Sequence, residues 1–233
     1  MKDTPLLAFS DNYIWIYEEH EKIIIVDPGE AQPVLNYLNA QRLYPDAILL
    51  THKHEDHVGG VKGIVEEYPE LAVYGPSEVS HIANYIIKDG DTFERLGQTV
   101  RVFKTAGHTE EHVSFLVNDL LFCGDALFSA GCGRVFTGDY KAQYDALQRF
   151  KELPDEVKVY AGHEYTLTNL QFAQTVMPHS TAIVNELERV KDLDNKGIST
   201  LPSTIGHEKE INPFLRAETL EKFIELREKR DIF

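Results

Sequence analysis

The decapeptide "THKHEDHVGG", Thr51 to Gly60, sets His52, His54, Asp56 and His57 within six residues, directly behind the apolar run "AILL". On an extended segment, residues two apart point to the same side, so His52 and His54 converge on one point. Asp56 and His57 fall where the chain turns into a helix and face elsewhere. Each pair makes half of a metal site, and neutral imidazole with carboxylate suits zinc, iron or manganese. Matching residues close other strand-like runs: His108 ends "TVRVFKTAGH", His163 ends "VKVYAGH", and Asp125 follows "LLFCG". A carboxylate behind such an apolar run is costly to bury unless it is paired or binds a cation. A lone "GH" or "GD" dipeptide carries no information. Together, in this order behind strands, the residues fit a binuclear site whose two divalent ions share one carboxylate. A polar loop with hydrogen-bonded core histidines does not account for the joint pattern.

The elements that position these residues are readable from periodicity. "NYIWIYEE" and "KIIIVDPG" are β-branched and aromatic and read as two strands joined by a polar turn. "AQPVLNYLNAQRL" has helical apolar spacing, and "DAILLTH" is a short buried strand that delivers the histidine cluster. The segment after Gly60 reads as a helix, "LAVYG" as a strand and "SEVSHIANYII" as a further helix. "TFERLG", "TVRVFKTAGH", "HVSFLVN" and "LLFCGDALF" are strand-like, "YKAQYDALQRFKEL" is helical, and "VKVYAGH" is the final strand. After Tyr165 the texture changes to three helical segments, separated by the loop "DNKGISTLPSTIGHEKEINPF". The chain therefore divides into a mixed α/β part, 1–165, and a helical part, 166–233.

Composition narrows the function classes. The formal charge is −15, from 38 acidic and 23 basic residues. That balance argues against nucleic-acid binding, which needs a basic face, and against anionic membranes. No apolar run reaches the length of a membrane span, and the N-terminal residues do not read as a signal peptide. Two cysteines, Cys123 and Cys132, form no disulfide framework and fit a reducing compartment, so a cytoplasmic monomer is expected. Cys132 has no base beside it in sequence and reads as a small residue in a glycine loop. One local exception to the acidity is the ending "LREKRDIF", with Arg227, Lys229 and Arg230. It is either a helix end favouring cations or an anion site.

The order H-x-H-x-D-H followed by spaced His, Asp and His resembles the metallo-β-lactamase superfamily of metal hydrolases. The resemblance spans Leu7 to Tyr165 with every ligand position filled. It implies a four-layer αββα sandwich with the metals at the edge between two sheets. By that resemblance His52, His54 and His108 hold one ion, Asp56, His57 and His163 the other, and Asp125 bridges them. Asp27 in "VDPG" matches a position that supports the site from behind, and His112 reads as structural or supporting. Zinc is the first choice of metal, with iron or manganese as alternatives.

Narrower features are similar to the glyoxalase II (hydroxyacylglutathione hydrolase) family: "AGCGR.F" (Ala130 to Phe136), "GHEYT" (Gly162 to Thr166), "NPFLR" (Asn212 to Arg216) and the ending "LREKRDIF". This carries the resemblance through the helical part and implies hydrolysis of S-D-lactoylglutathione to D-lactate and glutathione, the second step of methylglyoxal detoxification. Arg134, Tyr165, Arg227 and Arg230 match the positions that hold the glutathione portion, and Asp56 and Asp125 those nearest the chemistry. The sequence departs from the family at Phe136, where some members have tyrosine, at Ala126, where threonine is common, and at Lys53, where histidine is frequent. The chemistry is consistent: two metal ions lower the pKa of a water from ~16 to around 7 and polarise a carbonyl. Other hydrolases of the same scaffold (lactone or β-lactam), a single-iron persulfide oxidation and a non-catalytic binding protein are the competing readings.

Overall fold

In "YIWIY" alternate side chains take opposite faces of a strand, and here both faces are buried. Tyr13, Trp15 and Tyr17 join Ile24, Val26 and Leu49 in one core, while Ile14 and Ile16 join Ile23, Ile25 and Ile48 in another. A sheet apolar on both sides must be covered on both, which dictates layers. The structure is a computed structural model and describes residues 2–233.

Strands β1 (Lys2–Ala8), β2 (Asn12–Glu19), β3 (Lys22–Val26), β4 (Tyr44–Leu49), β5 (Ala72–Gly75) and β6 (Tyr85–Ile86) form the first sheet in that order. It is antiparallel from β1 to β3 and parallel from β3 to β6. The second sheet contains β7 (Thr92–Arg95), β8 (Gln98–Lys104), β9 (Val113–Val117), β10 (Leu120–Gly124), β11 (Lys158–Ala161) and β12 (Ser203–Thr204). It is ordered β12-β11-β10-β9-β8-β7, with β10 and β11 its parallel pair. Helices α1 (Ala31–Gln41), α2 (Glu55–Val58) and α3 (Val61–Glu67) belong to the first half of the chain. Val34 and Leu38 of α1, with Val61 and Ile64 of α3, cover the outer face of the first sheet.

On the outer side of the second sheet lie α4 (Tyr140–Lys151), α5 (Thr166–Val176), α6 (Thr181–Asn195), α7 (Ile205–Ile211) and α8 (Leu220–Asp231). Side chains of Asp139, Ser180, Thr204 and Thr219 accept backbone N–H groups at the starts of α4, α6, α7 and α8. The result is the expected αββα sandwich with a helical C-terminal portion. That portion has a small cluster of its own, Leu170, Ala173, Ile183, Leu187, Val190 and Ile211 packed with Ala130, but it also shares the main core. Phe172, Phe214, Phe223 and Leu226 belong to the same buried cluster as Phe122 and Tyr160.

Two expectations from periodicity are corrected. "SEVSHIANYII" is not a helix: a single 3-10 turn, Ser77–Val79, is followed by β6. The Asn84 side chain accepts from Val73 N (2.8 Å) and donates to Leu71 O (3.2 Å), pinning the chain alongside β5. Second, the loop between α6 and α8 contains β12 and α7, so β11 is not the last strand. The N-terminal residues, to which periodicity assigned no element, form β1, an edge strand that includes Pro5; an edge tolerates proline because no neighbour needs its missing N–H. Among the described residues, no helix is long and apolar enough to cross a membrane.

Candidate metal centre

His52 follows β4, His108 follows β8, Asp125 follows β10 and His163 follows β11, so four strand ends bring their side chains to one rim of the sandwich. His54 Nδ1 lies 3.0 Å from His52 Nε2 and 3.0 Å from His108 Nε2. The far sides of the two outer rings decide what those nitrogens present. His108 Nδ1 is 2.8 Å from the Arg134 carbonyl, which only accepts, so Nδ1 carries the proton. Thr51 Oγ1 donates to Asp27 Oδ2 (2.6 Å) and is left to accept from His52 Nδ1 (3.0 Å). Both Nε2 atoms therefore turn lone pairs inward, and His54 has at most one proton to offer the two of them. A cation satisfies all three nitrogens at once.

The second group is built the same way. His57 Nδ1 donates to Asp27 Oδ2 (3.0 Å) and His163 Nδ1 to Asp11 Oδ1 (2.8 Å). Their Nε2 atoms face each other at 3.3 Å. Asp56 Oδ2 lies 3.3 Å from His163 Nε2 and 3.7 Å from His57 Nε2. Between the groups sits Asp125, 3.4 Å from His57 Nε2 through one oxygen and 3.4 Å from both His108 Nε2 and His163 Nε2 through the other. Its Oδ1 is buried and accepts no hydrogen bond, which is costly for a carboxylate unless a cation lies against it. Two ions that share Asp125 fit this donor set.

The charges agree with that fit. Burial would raise the Asp125 carboxyl, yet His57, His163 and His108 hold it well below the usual carboxylate range. Burial would lower His163, but Asp125, Asp56 and Asp11 push it up to about 11. In the metal-free protein that ring keeps its proton through neutral pH, where an ordinary histidine has lost it. A cation binding at Nε2 must displace this proton, so affinity rises with pH until about 11. Zinc titrated into metal-free protein at pH 8 is expected to release about one proton from this ring. Calorimetry in two buffers of different ionisation enthalpy measures it, and heats that match in both would contradict the protonated histidine.

Close backbone approach explains the glycine in "AGH". A Cβ at Gly162 would lie 2.5 Å from Asp125 Oδ1 and 2.7 Å from His57 Cε1. Gly162→Ala is expected to lower metal content while the protein stays folded, because the clash falls on two side chains of the candidate centre rather than on a hydrophobic core. Elemental analysis beside circular dichroism checks this; a fully loaded variant would mean that the rim yields.

Beside the histidine cluster lies a cavity of about 200 Å³ lined by Phe128, Cys132, Arg134, Tyr165, Asn169, Arg227, Arg230 and Asp231. The structure thus brings the four expected substrate residues together. They are not equivalent. Tyr165 stacks on His163, with ring centroids 4.7 Å apart. Arg134 is more than half exposed, and its guanidinium lies 5.7 Å from the centre of the Phe136 ring, which in turn meets His108 edge-on at 5.3 Å. Arg227 is buried, donating to Cys132 O (2.7 Å) and lying 3.0 Å from Asp231 Oδ1. Arg230 donates weakly to Asn169 Oδ1 (3.2 Å) and is the freer of the two.

Asp27 takes the supporting place expected of it, accepting from Thr51 N (2.8 Å) as well as from Thr51 Oγ1 and His57. His112 is likewise a support: its Nε2 accepts from Asp125 N (3.2 Å) and Nδ1 lies 2.9 Å from Thr105 Oγ1. Sequence reasoning missed Asp11, which orients His163, and Asn12, whose Nδ2 donates to Asp56 Oδ2 (2.9 Å). It also missed Asn169 in the cavity wall. The one signal available was the polar "SDN" ahead of a strongly apolar strand.

The sandwich and its His/Asp rim define a metal-binding protein of the metallo-beta-lactamase superfamily, whose family profile matches residues 8–163. The solved structures agree: ETHE1 from Myxococcus xanthus superposes with a TM-score of 0.75 at 27% identity, covering 98% of this chain and 90% of that one. TTHA1623 in a di-iron-bound form does so with a TM-score of 0.65 at 26% identity, over 92% of this chain and 100% of the other. Residues 164–233 match the profile described as hydroxyacylglutathione hydrolase C-terminus. A hydroxyacylglutathione hydrolase of Glaesserella parasuis serovar 5 (strain SH0165) is 58% identical over 231 residues, 99% of this chain and 98% of the relative. The chain belongs to the hydroxyacylglutathione hydrolase family.

Proposed function

We propose that the protein hydrolyses the thioester of S-D-lactoylglutathione, releasing D-lactate and glutathione. The observation that carries this reading is the pair of His/Asp groups with Asp125 lying between them, beside a cavity lined by Arg134, Tyr165 and Arg230. In the proposal His52, His54 and His108 would hold one divalent ion and Asp56, His57 and His163 the other, with Asp125 available to both. Zinc is the first candidate, with iron or manganese as alternatives of similar ligand preference. When bound, the ions supply Lewis acidity toward a water nucleophile and toward the thioester carbonyl.

The chain's own residues do the rest. Asn12 holds the partly exposed Asp56 carboxylate, so that it can orient the attacking water as well as ligate. The leaving thiol has an intrinsic pKa near ~8.5 and departs as thiolate without a dedicated acid. Arg134, Arg230 and the Tyr165 hydroxyl face the anionic peptide portion of glutathione; on a chain of net charge −15 these cations stand where the substrate's carboxylates arrive. Residues 1–165 then carry the ligands together with Arg134 and Tyr165, and 166–233 close the cavity from the other side with Arg230.

Loss of thioester absorbance on adding metal-loaded protein to S-D-lactoylglutathione tests the reading, and no hydrolysis by a fully loaded protein would overturn it. Within it the arginines separate. Arg230→Ala is expected to raise KM about 10- to 100-fold, the worth of one charge-assisted hydrogen bond, and to leave a short thioester without the peptide unaffected. Arg227→Ala should instead lower the melting temperature, because it strips Cys132 O and Asp231 of their buried partner. Equal losses on both substrates for Arg230→Ala would return that residue to helix electrostatics.

A further inference from the structure

Glu208 on α7 is fully buried and has no cation among its hydrogen-bond partners. Four neutral donors converge on it instead. Oε1 accepts from Ser129 Oγ (2.8 Å) and Ser203 Oγ (2.5 Å), and Oε2 from Ala130 N (2.8 Å) and Asn212 Nδ2 (3.1 Å). A buried carboxylate without a counter-ion is expensive, and apolar packing would hold two layers together at lower cost. Its partners show what it holds.

Ala130 is a non-glycine residue in the left-handed region, at φ 54°. That conformation persists only where the surroundings over-determine it. Glu208 takes the Ala130 N–H, and Asn212 Nδ2 also donates to Phe128 O (3.1 Å) and Gly131 O (2.9 Å). Asn169 donates to Ser129 O (3.1 Å) and Arg227 to Cys132 O (2.7 Å). The backbone from 128 to 132 is thus gripped by side chains of the C-terminal helices at successive residues. This same loop puts Phe128, Cys132 and Arg134 into the cavity wall, and the Arg134 carbonyl accepts from His108 Nδ1.

We infer that Glu208 is a positioning residue: with Asn212 it fixes the 128–134 loop, and through that loop the C-terminal helices set the substrate-facing wall. Burial raises the Glu208 carboxyl above its usual range against the pull of its four donors, in keeping with a group kept for hydrogen bonding and not for charge. The kinetic half of the inference rests on the proposed thioesterase reading; the structural half does not.

Two buried cysteines provide the test. Cys132 lies in the loop, whereas Cys123 lies on β10 with its thiol against Leu127 O and Tyr160 O. In metal-loaded Glu208→Ala, alkylation of Cys132 by iodoacetamide, mapped by mass spectrometry, is expected to accelerate about tenfold while Cys123 stays at the wild-type rate. KM for S-D-lactoylglutathione should rise about tenfold, with kcat and the metal content near wild type. Should that variant not fold, Glu208→Gln, which keeps the volume and one acceptor oxygen, is expected to show both effects at about threefold. Equal acceleration of both cysteines means general destabilisation and overturns the inference, as does no acceleration. Faster Cys132 alkylation with unchanged KM overturns it too, since the loop would then not shape the wall. If the wild type hydrolyses no glutathione thioester, the proposed function fails, and the cysteine ratio still decides whether Glu208 holds the loop.

Discussion

Asp125→Asn is expected to lower kcat more than about 100-fold, beyond the 10–100-fold usual for a residue that only supports a ligand. The amide matches the carboxylate in shape, and the Asp125 backbone N–H keeps its bond to His112 Nε2, so the fold should persist. What disappears is a negative charge lying 3.4 Å from histidine nitrogens of both ligand groups. Removing one unshared ligand would weaken one ion; removing this one weakens two. Elemental analysis should show fewer than two ions per chain, against about two for the wild type. Two tightly held ions with full activity in the variant would refute the shared carboxylate.

A chain ending at Tyr165 keeps every proposed metal ligand, yet it is expected not to fold. Phe172, Phe214, Phe223 and Leu226 lie in the same core as Phe122 and Tyr160. Each such side chain is worth about 1.5–3 kcal/mol when buried. Losing four removes stabilisation comparable to the whole of an ordinary domain's, about 5–15 kcal/mol. The fragment also loses Glu208, Asn212 and Arg227, which hold the 128–132 backbone. Circular dichroism melting and gel filtration check this. A monomeric fragment with a cooperative melt would show that the helices are an attachment and not part of the core.

The residues of the candidate metal centre stood out because metal binding demands particular side chains, and a strand end presents them in a fixed direction. His52 and His54 had to converge, and Asp56 and His57 had to face away, from local geometry alone. Most strands and the long helices were equally accessible, since apolar spacing reports which face of an element is buried. The same local rule failed at "SEVSHIANYII", where helical spacing lost to the Asn84 hydrogen bonds that tie the chain to β5.

Beyond that, tertiary structure decided. Arg227 and Arg230 stand three apart in one helix, read alike and both line the cavity, but Cys132 O and Asp231 engage the first while Asn169 holds the second only weakly. Asn12 reaches Asp56 across 44 positions, Asp11 reaches His163 across 152, and Glu208 reaches Ala130 across 78. Asparagine, aspartate and glutamate are ordinary surface residues in most places. Their roles here come from the polar groups that distant segments bring to them. Local sequence determines which face of an element is apolar and which residue types end a strand; it does not determine which buried donor meets which acceptor, because that choice is made only when the layers close.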